Sequence, residues 1–198
     1  MTTALVIVDV QVDFCAGGSL AVPEADAIVP VVNGLMQGFR RVIVTQDWHP
    51  SGHVSFASTH PGRPPFSRLT LPSGEQILWP DHCIAGTEGA AFHPKLEVPP
   101  SAGMVRKGIH REVDSYSAFF EADGTTSVGL DPLLRAADVR EIVLAGLATD
   151  FCVLHTALDA RRLGYDVTVV EAGCRGIDTN GSLAAAWERM DAAGVRRR

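Results

Sequence analysis

The chain alternates short apolar runs with longer, helix-like stretches. Five runs are rich in Val, Ile and Leu and nearly continuous, which is typical of strands buried on both faces of a sheet. These runs cover residues 5–8, 42–45, 104–107, 141–145 and 166–170. Helices are predicted at about 24–39, 130–138, 150–163 and 181–193, with Asp150 as the N-cap of the third helix and Gly164 as its C-terminal stop.

This order of strands and helices predicts an α/β fold of three layers, α/β/α, with a central and mostly parallel sheet of Rossmann-like type. The length fits one domain over residues 1–198. Residues 47–103 form a long, proline-containing stretch with few apolar runs. Loops of that length in a compact domain are usually functional, so we expect this region to contribute to a site.

The composition and net charge of the chain limit the classes of binding partner that we expect. Hydrophobic residues make up 46% of the chain and charged residues 20%, an ordinary globular mixture, and the net charge is −6 without a basic stripe. We therefore expect no nucleic-acid partner and interpret the three C-terminal arginines as a solvated tail. The N-terminal stretch resembles neither a signal peptide nor a membrane span, and the four cysteines form no CxxC pair. A cytoplasmic protein with reduced thiols is the resulting expectation.

Chemically active side chains follow the ends of the predicted strands. Asp9 follows the first run, Asp47 and His49 follow the second, Lys107 ends the third, and Cys152 follows the fourth. Because ligands of such sheets bind beyond the carboxyl ends of the strands, we expect these side chains to share one edge.

Each of these residues also has an ordinary structural interpretation. Asp9 could cap a loop, Lys107 could be a solvated lysine, and Cys152 could be a small buried filler. Taken together, the acid and the amine make the thiol a credible nucleophile. The first turn of a helix favours thiolate, a buried carboxylate can accept its proton, and an ammonium can stabilise developing charge.

A second group of polar residues indicates a metal site. Asp47 and His49 are two residues apart, so in an extended segment they point the same way. A carboxylate and an imidazole suit a divalent transition metal. His82 is the candidate third ligand and His53 a fourth, with Ser51 or water as other options, while the ordinary interpretation is that these histidines are loop residues.

The motifs, in this order, resemble the nicotinamidase/pyrazinamidase family of the isochorismatase-like cysteine hydrolase superfamily. The resemblance extends from residue 4 to about 190. It is carried by IVDVQVDFCAGGSLAV, TQDWHP, HVSFAS, WPDHC, RKG, DSYSAF and GLATDFCV. It implies an isochorismatase-like fold and hydrolysis of nicotinamide, and also of pyrazinamide, through a cysteine thioester in NAD salvage.

The resemblance also implies roles for individual residues. The triad would be Asp9, Lys107 and Cys152. One divalent metal ion, zinc in preference to iron or manganese, would be held by Asp47, His49 and His82, with His53 where some members have a further ligand. The oxyanion hole would be the backbone N–H groups of Ala148 and Cys152, presented through a cis Leu147–Ala148 peptide. The candidate walls for the pyridine ring are Phe14, Leu20, Trp79 and Tyr116.

Two departures from the family pattern stand out. Members differ at position 151, where this chain has Phe, which changes a wall of the pocket and not the triad. The final stretch AAGVRRR predicts that the last edge strand of the family is short or missing here.

Other functions stay open at this point. A related cysteine amidohydrolase would act on an N-carbamoyl or ureido substrate, but such relatives generally lack the metal ligands. A non-catalytic ligand-binding relative would not need a complete triad, and a redox-sensing thiol would need a resolving cysteine close in sequence to Cys152. A small-molecule substrate without membrane involvement is the expectation, and a homo-oligomer is an open option.

Overall fold

A computed structural model describes residues 2–198 as eight strands, four α-helices and several short helical turns. The strands are β1 Thr2–Val8, β2 Val42–Asp47, β3 Arg68–Leu71, β4 Gly74–Ile77, β5 Gly103–Lys107, β6 Val139–Leu147, β7 Asp166–Arg175 and β8 Arg196–Arg197. The α-helices are α1 Val29–Gln37, α2 Leu130–Ala136, α3 Leu154–Arg162 and α4 Ser182–Ala192. None of the helices within residues 2–198 is long and apolar enough to cross a bilayer.

Six strands form one parallel sheet in the order β5-β2-β1-β6-β7-β8, flanked by helices. The predicted α/β class and parallel sheet are confirmed, and each of the five apolar runs lies within a strand. The two central strands, β1 and β6, are almost entirely buried, because their Val, Ile, Leu and Ala side chains form the core on both faces. The β3–β4 hairpin was not predicted and lies within the long 47–103 region.

Two helix starts differ from the prediction. A 3₁₀ turn over Ala25–Ile28 precedes α1, and a π-helical segment over Thr149–Val153 precedes α3. Asp150 does not cap its own helix, so that prediction is wrong. Its carboxylate instead accepts hydrogen bonds from the N–H groups of Ile177 and Asp178 at 3.0 and 2.9 Å and from the Ser182 hydroxyl. These bonds join the start of the helix to the chain that follows β7.

The predictions for the end of α3 and for the last strand agree better with the structure. Gly164, with φ +89°, donates its N–H to the Arg161 carbonyl and ends α3 as predicted. The last edge strand, β8, is short as expected, with only two residues. The prediction of a solvated arginine tail is wrong for the backbone, because β8 pairs with β7 while its side chains stay exposed.

A close approach between β1 and β6 forms the floor of the site. Gly146 has φ +130°, and a Cβ atom at this position would lie 2.0 Å from the carbonyl oxygen of Val8. Only glycine allows the two strands to pass this closely where both turn toward their polar ends. The chain leaves β1 directly into Asp9 and leaves β6 into the segment that carries Cys152.

Candidate active site

Four of the five polar side chains predicted at the sheet edge meet at the Lys107 ammonium group, which contacts Asp9, Asp47 and Cys152. The Nζ of Lys107 lies 2.9 Å from Oδ2 of Asp9 and 3.2 Å from the Cys152 Sγ, and it also bonds to the Asp47 carboxylate. All four side chains are buried. The structure thus brings together the three residues of the predicted triad.

Lys107 connects the triad to the predicted metal ligands, a link that the sequence analysis missed. Burial alone disfavours its charge, but the carboxylates of Asp47 and Asp9 raise the pKa of Lys107 well above its usual value. The side chain is therefore an ammonium ion, and it also donates to the Ser115 carbonyl at 3.2 Å. The register explains the contact, because Asp47 and Lys107 are direct partners on the neighbouring strands β2 and β5.

Asp9 is held in a form that can accept a proton. Burial raises its pKa to about 6, although the Lys107 ammonium and the Thr45 hydroxyl both act to lower it. The Thr45 hydroxyl donates to Oδ1 of Asp9 at 2.5 Å. The other oxygen, Oδ2, is close to Lys107 but has no well-aligned hydrogen bond. Oδ2 is therefore the oxygen free to take a proton from a neighbour.

The Cys152 thiol is neutral in this resting site. Burial raises its pKa well above the usual value, although the Lys107 ammonium opposes the shift. The expected preference for thiolate at a helix start is thus outweighed by desolvation. Donor atoms of Asp9, Asp47 and Cys152 all lie within 4.8 Å of one another, so a carboxylate acceptor is near the sulfur. The Leu147–Ala148 peptide before this segment is cis, as predicted.

The predicted metal ligands Asp47, His49 and His82 form a compact cluster. One donor atom from each lies within 4.8 Å of the others, and all three side chains are buried. The Nδ1 atoms of the two imidazoles bond to backbone carbonyls, His49 to Gly108 at 3.0 Å and His82 to Pro80 at 2.8 Å. This arrangement leaves both Nε2 atoms for a metal, the usual orientation of ligating histidines. One carboxylate and two imidazoles therefore fit a divalent transition metal.

A glycine makes room for one of these imidazoles. Gly108 has φ +63°, and a Cβ atom there would lie 2.3 Å from the His49 ring. The glycine of the RKG motif thus allows the backbone to contact the His49 ring and to accept its Nδ1 hydrogen bond.

His53 lies outside the cluster of Asp47, His49 and His82 but forms a second possible ligand group with His49 and Asp114. Its ring stacks on His49 with a centroid distance of 4.3 Å. Its Nδ1 bonds to the Ser55 hydroxyl at 2.7 Å and its Nε2 to the Val113 carbonyl at 3.2 Å. A ligand role for His53 would require it to give up one of these bonds, and it stays a prediction.

A pocket with about 330 Å³ of space, part of it open to solvent, borders the Cys152 side chain and the metal cluster. All four predicted ring walls line it, together with Asp114, Ala148, Phe151 and Ile177. The full lining is Phe14, Leu20, Asp47, His49, Trp79, His82, Asp114, Tyr116, Ala148, Phe151, Cys152 and Ile177. We call this space the ring pocket. Its apolar and aromatic walls suit a small flat ligand.

Hydrogen bonds fix one wall of the ring pocket. The indole N–H of Trp79 donates to the Tyr116 hydroxyl at 2.9 Å. Gln76, from strand β4 of the hairpin, donates to the Asp114 carboxylate at 2.8 Å. Asp114 was not predicted as a site residue, although it is the first residue of the DSYSAF motif that contains Tyr116. The hairpin therefore supports the wall from behind.

Comparisons with known proteins identify the family of this chain. A family model described as isochorismatase domain matches residues 3–196. A nicotinamidase of Acinetobacter baylyi is 50% identical over 98% of this chain and 91% of its own length. The structure of an Acinetobacter baumanii nicotinamidase/pyrazinamidase has a TM-score of 0.97 and 51% identity, covering 99% of this chain and 95% of that one. A zinc complex of Pyrococcus horikoshii pyrazinamidase has a TM-score of 0.81 and 32% identity, covering 100% and 99%. With the family match spanning nearly every described residue, this chain belongs to the isochorismatase domain family.

Proposed function

We propose that this protein hydrolyses nicotinamide to nicotinate and ammonia, and that it also accepts pyrazinamide. The observation that carries the proposal is the Lys107 ammonium, which contacts the Cys152 sulfur, the Asp9 carboxylate and the metal-ligand candidate Asp47 at the base of an aromatic pocket. The similar proteins named above are nicotinamidases and pyrazinamidases.

In the proposed reaction, Oδ2 of Asp9 takes the thiol proton while the Cys152 sulfur attacks the carboxamide carbon. The carbonyl oxygen becomes an oxyanion, for which the backbone N–H groups of Ala148 and Cys152 are the proposed donors. Collapse of this intermediate breaks the C–N bond, and Asp9 returns the proton to the departing ammonia. Water then attacks the thioester, giving nicotinate and the free thiol. Lys107 remains charged throughout and offsets the negative charge at the sulfur and at Asp9.

The cluster of Asp47, His49 and His82 would hold a divalent ion, for which we propose zinc. When bound, the ion would supply a Lewis-acidic position for the pyridine nitrogen and so orient the carboxamide. The chain itself orients the ring with the flat walls Phe14, Trp79 and Tyr116, and Leu20 closes the apolar side. The convergence of the three ligands favours a pyridine amide over the N-carbamoyl and ureido alternatives.

The wider role we propose is salvage of pyridine nucleotides in the cytoplasm, with the small-molecule amide as the binding partner. Cofactor breakdown releases nicotinamide, and its deamidation yields the acid that resynthesis can use.

A direct assay tests the proposal. Zinc-loaded protein is expected to release ammonia from nicotinamide and from pyrazinamide. Benzamide has the same amide and ring size but no ring nitrogen, so it serves as the matched control substrate and should react far more slowly. Absence of ammonia release from nicotinamide would exclude the proposed activity, and equal rates for benzamide would exclude the role proposed for the ring nitrogen.

The pH dependence of kcat/KM should report the Asp9 carboxylate. Asp9 must be unprotonated to accept the thiol proton, and its pKa is raised to about 6, so activity should fall as the pH drops through about 6. The Thr45 hydroxyl bond lowers this pKa, so Thr45→Val should move the acid limb to higher pH. Thr168→Val, the same change on β7, is the control and should leave the limb in place. A profile unchanged by Thr45→Val would contradict the assignment of the acid limb to Asp9.

Replacing a candidate metal ligand should remove the bound ion without unfolding the protein. After dialysis against zinc, His49→Ala should contain much less metal than the wild type and should raise the KM for nicotinamide. His93→Ala is the control, since His93 pairs with Asp26 away from the cluster and should keep full metal content. Elemental analysis of both variants is the measurement. Normal zinc content in His49→Ala would show that the ion binds elsewhere.

A further inference from the structure

A second cavity lies directly behind one wall of the ring pocket. It contains about 1060 Å³ of space between protein atoms, part of it open to solvent. Its sides are the β3–β4 hairpin, the first turn of α3 and one face of α4. Tyr116 and Phe151 line both the ring pocket and this second cavity. These two aromatic side chains are therefore the partition between the two spaces.

The two partition residues are held differently. The Tyr116 hydroxyl is fixed by hydrogen bonds from Trp79 and Gln76. Phe151 is held by ring packing, edge-on against Trp79 at a centroid distance of 4.8 Å and tilted against Tyr116 at 5.5 Å. Removal of the Phe151 ring would thus open the partition without leaving a buried polar group unpaired.

The lining of the second cavity favours an anionic group. Two carboxylates face it, but Glu75 is paired with Arg68, and Asp150 already accepts three hydrogen bonds. Arg189 is a further lining residue with an exposed side chain, and it takes part in none of the ion pairs found among residues 2–198. Burial and the neighbouring Arg189 guanidinium lower the pKa of His155 to about 4, so that ring is neutral at pH 7. Arg189 is therefore the cation of this cavity that forms no ion pair, while the charge of Asp150 on the same lining is held by neutral donors.

We propose that the second cavity is a latent substrate subsite, closed by Phe151, that would take an anionic substituent on the ring of the carboxamide substrate. In the wild type, Phe151 restricts the reaction to compact ring amides. This inference rests on the proposed function, because it assumes that the amide is hydrolysed in the ring pocket.

Substituted substrates test the subsite. The probes are nicotinamides with a 2-carboxyethyl or a propyl group on ring carbon 4, 5 or 6, assayed by ammonia release. Phe151→Ala should raise kcat/KM for at least one 2-carboxyethyl compound by on the order of tenfold or more over wild type. Ile177→Ala is the matched control, because Ile177 lines the ring pocket but not the second cavity. Phe151→Leu is the second variant, and zinc content together with a urea unfolding curve verifies that each variant is folded.

The outcomes separate the two proposals. Failure of the wild type on nicotinamide would overturn the proposed function itself. If nicotinamide is hydrolysed but neither Phe151 variant gains more than Ile177→Ala on the substituted compounds, the subsite is excluded. Arg189→Gln in the Phe151→Ala background should remove the advantage of the 2-carboxyethyl group over the propyl group. Equal rates for the two groups with Arg189 present would exclude the anionic preference.

Discussion

Cys152→Ala is expected to abolish nicotinamide hydrolysis, with a loss in kcat on the order of 10⁴-fold or more. The sulfur is the nucleophile in the proposed reaction, and no other thiol among the described residues contacts Lys107. Metal content should be unchanged, because the ligand cluster uses Asp47, His49 and His82. Ammonia release and elemental analysis on the same preparation measure both results.

Cys174→Ala is the matched control for this variant. Cys174 is also buried and unpaired but lies on β7 outside the ring pocket, so its removal should leave turnover close to wild type. Residual activity of Cys152→Ala within about tenfold of wild type would remove the thioester mechanism. Loss of zinc in Cys152→Ala would show instead that the sulfur takes part in metal binding.

Lys107→Met is expected to reduce the free energy of unfolding by about 3–5 kcal/mol and to abolish turnover. Methionine keeps the length of the side chain but removes the charge that balances two buried carboxylates, Asp9 and Asp47. An unpaired buried carboxylate is strongly destabilising. Urea unfolding in the presence of a chelator measures the change without a contribution from bound metal.

Two further variants test whether the loss of stability in Lys107→Met is electrostatic. Lys95, the only other lysine of the chain, is exposed, and Lys95→Met should change the free energy of unfolding by less than about 0.5 kcal/mol. Adding Asp9→Asn to Lys107→Met removes one orphan carboxylate and should recover part of the lost stability, but none of the activity. No recovery in the double variant would mean that Lys107 contributes through packing and not through charge.

The sequence predicted the sheet well because its strands are buried on both faces. Such strands appear as uninterrupted Val, Ile and Leu runs, and the residues after them necessarily share one edge. The helix starts were less predictable. Asp150 has the residue type of an N-cap, but its carboxylate is satisfied by the backbone of residues 177 and 178, which are remote in sequence. Local propensity cannot reveal such a partner.

The sequence predicted which residues form the candidate site, but not which of their side chains contact one another. The strand-end rule brought Asp9, Lys107 and Cys152 together, and the ring walls were predicted because a small aromatic substrate needs flat apolar side chains beside these motifs. The contact between Lys107 and Asp47 depends on the register of β2 against β5, which the sequence does not specify. The Cys152 thiol is uncharged because it is fully buried. Burial is a property of the folded site, so the sequence does not reveal it.

The pairing of Asp47 with Lys107 across two adjacent strands restricts how proteins built on this plan can change length. Successive strand residues face opposite sides, so deleting one residue from β2 or β5 would turn a carboxylate or an amine away from its counterpart. A single deletion of this kind would disrupt both the metal cluster and the triad. Insertions and deletions should therefore accumulate in the connecting stretch between those strands, while the strands themselves diverge by substitution alone.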